Sequence, residues 1–199
     1  MGDVVVRRGD LAIRRMRPVD EDLMLLVRWR AAPHVQPWWD PDLPPIDLEG
    51  ARAEYLADME PGSTTTLCIV EREREAVGFL QFYRWADEAE GAEEVGIPFD
   101  DDTWGLDVMI GEEDLVDRGL GSAAVALLCE HLAASAGATS VALTTSVENA
   151  RAIRAYEKAG FERRARVLDT DTKGGERVPS WLMVWEPGRG GLPRRQTGG

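Results

Sequence analysis

Apolar residues recur along this chain with two different periods, and the switches between them mark out its elements. The stretch LAIRRMR, residues 11–17, alternates and predicts a strand, while VDEDLMLLVRWRAA, residues 19–32, begins after Pro18 and sets Leu23, Leu26 and Val27 at helical spacing. Residues 33–45, PHVQPWWDPDLPP, carry too many prolines for regular structure and predict turns, with Trp38 and Trp39 forming a small apolar lid. EGARAEYLADME, residues 49–60, returns to a helical pattern. TTTLCIVE (64–71) and AVGFLQFYRWA (76–86) then read as two antiparallel strands of a hairpin. After them come the strand WGLDVMIG (104–111), the helix SAAVALLCEHLAASAG (122–137) and the strand SVALTTSV (140–147). A second capped helix, NARAIRAYEKAGF (149–161), precedes a final antiparallel pair, ERRARVLDT (162–170) and VPSWLMVWE (178–186). This order predicts one mixed domain over residues 1–186, with strands and helices interleaved. From Pro187 onward, PGRGGLPRRQTGG has no periodicity and reads as a disordered tail.

The helix at 149–161 has marked ends. Asn149 suits an N-cap and Gly160 a left-handed C-terminal residue. Ala152, Ile153, Tyr156 and Ala159 form one stripe, and Arg151, Arg154 and Lys158 another. Tyr156 therefore faces inward, where its ring can fill the core and its hydroxyl can meet a partner at the rim.

Charge narrows the partners. The formal net charge is -13, with 36 Asp and Glu residues, which argues against nonspecific binding of nucleic-acid phosphates and favours cationic amines. Solubility alone explains the same excess. No apolar run is long enough to span a bilayer, and MGDVVVRRGDLAIRRMRP lacks the apolar centre of a secretory signal. Cys68 and Cys129 lie in apolar segments without metal-ligand spacing, as buried thiols in a reducing cytoplasm would. His34, in the proline-rich loop, and His131, on a helix, have no companions suggesting a metal site.

Two places carry candidate chemistry. In VDRGLGSAA, residues 116–124, Gly119 and Gly121 would let a ligand approach the backbone at a helix N-terminus, a setting that suits a phosphate or only a tight turn. In WGLDVMIG, Asp107 interrupts apolar neighbours, and a carboxylate there is either useful or turned to solvent at an edge. Upstream, residues 87–103 make a long acidic connection containing Glu93, Glu94, Asp100, Asp101 and Asp102.

The order strand, Gly turn, helix, strand, N-x-R-A-I-R-x-Y-x-K-x-G-F helix, strand resembles the GNAT superfamily of acetyl-CoA-dependent N-acetyltransferases over residues 11–186. VDRGLG looks like the superfamily's pyrophosphate loop, departing at Val116, where Gln or Arg is usual. The resemblance implies a mixed, mostly antiparallel sheet whose central parallel strands splay apart, flanked by helices. It implies coenzyme A held by the backbone of Val108, Met109 and Ile110, by the turn of Arg118, Gly119, Leu120, Gly121 and Ser122, and by Asn149 and Ala152. Tyr156 would then protonate the departing thiolate. The texts PWW, DDDTWGLDVMIG, RGLG and NARAIRAYEKAGF are further similar to aminoglycoside 6'-N-acetyltransferases, in which the aspartate matching Asp107 acts on or orients the reacting amine.

That similarity implies direct attack in a ternary complex, by a monomer or homodimer, with no metal and no covalent enzyme intermediate. Glu93, Glu94, Asp100 and Asp102 would draw in a polycationic sugar, and Trp38, Trp39 and Trp104 would offer flat surfaces to its rings. Thr144 stands near a position where some members carry an acid, so the acceptor's register is expected to differ. The competing expectations are a related acetyltransferase acting on a lysine-like amine, a siderophore precursor or a protein N-terminus, and a non-catalytic acyl-CoA-binding regulatory domain.

Overall fold

Three consecutive valines open the first strand, β1 (Val4–Arg8), which turns at Gly9 (φ 61°) into β2 (Leu11–Arg15). The hydrophobic pattern predicts only the second of these, because VVVRR does not alternate; its β-branched residues and tight turn form the hairpin all the same. The computed structural model describes residues 3–39, 43–88, 96, 99–169 and 177–189. After β2 come α1 (Asp20–Arg30), the single turn α2 (Gln36–Trp39) and α3 (Leu48–Tyr55). The helical pattern of residues 49–60 breaks at Tyr55, beyond which Ala57–Met59 is a 3-10 turn.

The remaining elements are β3 (Thr66–Arg72), β4 (Glu75–Arg84), β5 (Thr103–Ile110), α4 (Leu120–Ala136), β6 (Ser140–Ser146), α5 (Ala150–Lys158), β7 (Glu162–Asp169) and β8 (Val178–Trp185). Eight strands form one sheet in the order β1-β2-β3-β4-β5-β6-β8-β7. All neighbours are antiparallel except β5 and β6.

Both faces of the sheet are covered, which explains the unbroken apolar run in β3. Leu67 and Ile69 join a cluster with Leu23, Leu26, Trp29 and Phe79, beneath α1 and α3. Cys68 and Val70 point the other way, into a cluster with Leu80, Val125 and Leu128 of α4. Cys68 and Cys129 are buried free thiols; burial pushes Cys68 up to about 12 and raises Cys129 further.

An ion-pair network ties α1 to the sheet. The buried Asp22 carboxylate accepts from Arg14 Nη1 (2.6 Å), Arg14 Nη2 (3.1 Å), Arg17 Nη2 (2.6 Å), Arg17 Nε (3.2 Å) and the Arg17 amide (2.9 Å). Arg14 also reaches Glu71 on β3, Nε to Oε1 2.7 Å.

The start of β5 is fixed by Asp100. Its carboxylate accepts from Thr103 Oγ1 (2.8 Å), the Asp102 amide (3.0 Å) and Thr139 Oγ1 (3.1 Å), and the Thr103 bond leads in holding its pKa below the usual range. This latch joins the entry of β5 to that of β6. Of the acidic connection before it, residues 89–95, 97 and 98 lie outside the described residues, Glu93 and Glu94 among them. Residues 187–189 form a turn, and 190–199 of the expected tail are likewise outside the described residues.

Candidate active site

The parallel pair β5 and β6 is joined only at its entry, Thr103 to Ser140 and Trp104 to Val141. Beyond Trp104, β5 keeps β4 on one side through Ile110 but, among the described residues, has no strand partner on the other. Antiparallel pairing alternates, so the direction of each backbone group follows from one bond. The Gly111 amide donates to Val77 O (2.9 Å), which directs Asp107 and Met109 towards β4 and turns the N–H and C=O of Val108 and Ile110 to the open side. Ile110 O accepts from His34 Nε2 (3.0 Å), so the tautomer at that bond is Nε2–H.

The opening leads into a cleft of about 540 Å³ walled by β5, β6, the N-terminus of α4 and one face of α5. Gly119 stands before α4 with φ 79°, a left-handed conformation that turns the chain sharply into the helix. The amides of Leu120, Gly121 and Ser122 begin the helix and have no intrahelical acceptor. A Cβ at Gly121 would sit 3.7 Å from Ile110 Cγ1, so the missing side chain keeps open the passage between helix and strand. These free amides, the positive helix end and the unpaired strand edge together fit a pyrophosphate joined to an amide-bearing arm. The cationic face of α5 (Arg151, Arg154 and Lys158) adds positive charge at the mouth.

Asn149 caps α5, its Oδ1 accepting from the Ala152 amide (3.0 Å), and Gly160 with φ 100° closes the helix. The inward stripe holds as the spacing predicts, with Ile153 and Tyr156 buried. Tyr156 packs on Phe161, ring centroids 5.6 Å apart, and also lines the cleft. It is a core residue and a wall residue at once.

Asp107 is half-buried on the cleft wall, and its Oδ2 accepts from Gln81 Nε2 (2.8 Å) on the directly paired position of β4. Burial raises its pKa above the ordinary carboxylate value; the Gln81 bond lowers it, and the charge of Asp169 raises it again. A carboxylate made more basic by desolvation is better suited to take a proton from an amine. Thr144 on β6 shares the cleft and donates its hydroxyl to Asp169 Oδ2.

Several expected site residues lie elsewhere. Trp104 packs against Phe82 (5.9 Å) with the Arg84 guanidinium over its ring (5.1 Å), and is not on the cleft wall. Asp100 and Asp102 sit at the entry of β5, opposite the end that bears the opening, and Asp100 is committed to its latch. Arg118 is exposed outside the wall, whereas Val108, Met109, Ile110, Gly119, Leu120, Gly121, Ser122, Asn149 and Ala152 all line it. Trp38 and Trp39 line the cleft too; Trp38 is exposed, and Trp39 stands edge-on to Phe79 (5.7 Å). Gln81, Asp169 and His34 are the contributors that sequence reasoning passed over. Gln81 carried a usable signal, since a polar residue interrupts AVGFLQFYRW just as Asp107 interrupts its own strand.

Comparison with known proteins agrees with this geometry. The acetyltransferase (GNAT) domain family matches residues 18–168. The aminoglycoside N(6')-acetyltransferase type 1 of Klebsiella pneumoniae is 29% identical over 168 residues, 84% of this chain and 82% of that protein. Among solved structures, AAC(6')-Ib in complex with ribostamycin and coenzyme A superposes with TM-score 0.77 at 28% identity, covering 90% of this chain and 94% of that one. The same enzyme with coenzyme A and kanamycin gives TM-score 0.75 at 28% identity over 89% and 95%. A spermidine N-acetyltransferase of Vibrio cholerae, 13% identical with TM-score 0.69, shares the fold over 92% of this chain and 98% of that one. With the family match spanning most of the chain, and the splayed strands and glycine turn in place, the chain belongs to the GNAT acetyltransferase family.

Proposed function

We propose that this protein transfers the acetyl group of acetyl-CoA to a primary amine of an aminoglycoside, at the 6'-amino group, by direct attack in a ternary complex. The observation that carries the reading is Asp107, a carboxylate raised by burial and placed where β5 parts from β6. Support for the acceptor comes from the aminoglycoside-bound neighbours, which are similar over nearly the whole chain. Acetyl-CoA is a substrate here, supplying the activated acyl group. Val108, Ile110 and the amides of Leu120, Gly121 and Ser122 would bind it.

The chain's own groups have separate tasks. An amine attacks only when neutral, so Asp107 takes its proton directly or through water. As the new C–N bond forms, the nitrogen gives up its second proton to water; as the C–S bond breaks, the Tyr156 hydroxyl protonates the leaving sulfur and is reprotonated from solvent. The buried, raised thiols of Cys68 and Cys129 are unsuited to forming an acyl-enzyme. Among the described residues no helix is long and apolar enough to cross a membrane, and free buried cysteines suit the reducing cytoplasm, where we place the reaction.

One assay tests the whole reading. Kanamycin, ribostamycin, lysine and a peptide amine are each offered with acetyl-CoA while free thiol is measured. Preferential thiol release with the aminoglycosides is expected; release only with lysine or peptide would move the acceptor, and thiol release with none would remove catalysis.

Two variants probe the donor side. Gly121→Val is expected to fold, because its Cβ has ordinary contact distance to Ile110, yet its γ-methyls fill the passage. In wild-type protein, acetyl-CoA at a hundred times its Kd contributes about 2.7 kcal/mol, or roughly 5–10 °C in Tm. That shift should vanish in Gly121→Val, and an undiminished shift would place the nucleotide elsewhere. Tyr156→Phe keeps the ring against Phe161 and should leave the acetyl-CoA shift intact while lowering kcat by about ten- to a hundredfold. Unchanged turnover would leave Tyr156 as a core residue only.

A further inference from the structure

The hydrogen bond between Thr144 and Asp169 has a chemical consequence for the acceptor side of the cleft. A threonine hydroxyl owns one proton and two lone pairs. Thr144 lines the cleft, and its proton goes to Asp169 Oδ2. Asp169 ends β7, is buried at 8% exposure, and its carboxylate receives no other hydrogen bond among the described residues. Its charge also reaches Asp107, which it helps to keep basic. The Gln81 amide occupies Asp107 Oδ2 and leaves Oδ1 as an acceptor.

We propose that Asp169 is a positioning residue for the acceptor: by taking the only hydroxyl proton of Thr144, it makes that oxygen a pure acceptor facing the same cleft as Asp107. β5 and β6 then present hydrogen-bond acceptors to one space, a cradle selective for groups rich in N–H, such as an ammonium or amino group beside the one that reacts. A hydroxyl free to rotate would instead accommodate donors and acceptors alike. The inference rests on the acetyltransferase reading above and adds the means by which the acceptor is held.

The test compares wild type with Asp169→Asn, Thr144→Val, Thr144→Ser and the double variant Asp169→Asn/Thr144→Val. KM and kcat are measured for kanamycin and for acetyl-CoA, together with urea midpoints. Loss of a charge-assisted bond is expected to raise the kanamycin KM about ten- to a hundredfold in Asp169→Asn and in Thr144→Val. The acetyl-CoA KM should stay at the wild-type value, Thr144→Ser should restore acceptor binding, and the double variant should be no worse than the worse single one. Multiplying losses in the double variant, or an equal rise in the acetyl-CoA KM, would overturn the proposal. If wild-type protein fails to acetylate kanamycin, the aminoglycoside reading falls, and the cradle is judged on the panel amine that releases most thiol. Strictly additive losses of urea midpoint would overturn it whether or not any acceptor is found, because they would show that the two side chains do not act together.

Discussion

Replacing Asp107 with Asn should lower turnover by about a hundred- to ten-thousandfold without weakening the fold. The amide keeps the shape and can still accept from Gln81 on its oxygen, but it cannot take a proton from an amine. Raising the pH should recover part of the rate, because more of the free amine is then already neutral. Stability should move the opposite way from activity. Burial first, with Asp169 adding to it, raises the folded pKa of Asp107 above its unfolded value. Between the two values the native state binds more protons than the unfolded chain, so wild-type stability falls as pH rises through that window and stays reduced above it. The Asn variant has no such penalty and should show a Tm at neutral pH equal to or above that of wild type. Wild-type turnover, or a Tm well below wild type, would contradict the assignment of Asp107 as a desolvated base.

Asp22→Asn should have the reverse character, costing stability and sparing chemistry. Burial alone would raise the Asp22 carboxyl, yet the bonds from Arg17 and Arg14 outweigh it and bring the group to about 2 from 3.8. Loss of the charge leaves Arg14 in a buried site with Glu71 as its remaining carboxylate. Breaking a buried pair from one side typically costs about 3–5 kcal/mol, which urea denaturation at neutral pH should read directly. A group with a depressed folded pKa contributes stability above its unfolded value and loses it as pH falls through the folded one. The gap between variant and wild type should therefore close as pH is lowered from above 3.8 towards about 2. A gap that persists unchanged at low pH would show that shape, not charge, holds α1 to β2. The acetyl-CoA KM should be unaffected in whatever fraction remains folded.

Periodicity served best where an element has one wet face. The stripe of α5, its Asn149 cap and its Gly160 terminus are all where the spacing puts them. It served worst in β1, whose valines carry no alternation, and at residues 56–59, where a helical pattern persists after the backbone has tightened. In the site, local anomalies were legible: a carboxylate among apolar residues for Asp107, and glycines before a helix for the α4 turn. What linear text does not hold is pairing. Gln81 becomes a partner of Asp107 only through the register of β4 with β5, and Asp169 approaches Thr144 only because β8 lies between their strands. The placement of Trp104 and Asp100 away from the cleft wall has the same origin. Both are near Asp107 in sequence, but a strand extends about 3.3 Å per residue, and the opening begins only after Trp104.

The short seam between β5 and β6 makes the sheet mechanically two plates. One comprises β1 to β5 and the other β6, β8 and β7, joined near the entry by two register positions, the Thr139 amide on Asp102 O, the Ser140 hydroxyl on Thr103 Oγ1 and the Asp100 latch, and further along by Trp85 Nε1 on Ala142 O. Any small rotation about that seam is magnified along the strands, so the width at Ile110 responds more than the width near Trp104. In a hydrogen-exchange experiment the amides of Val108 and Ile110 should behave like those of an outermost strand, despite lying in the middle of an eight-stranded sheet, and a bound arm that spans the gap should slow them together.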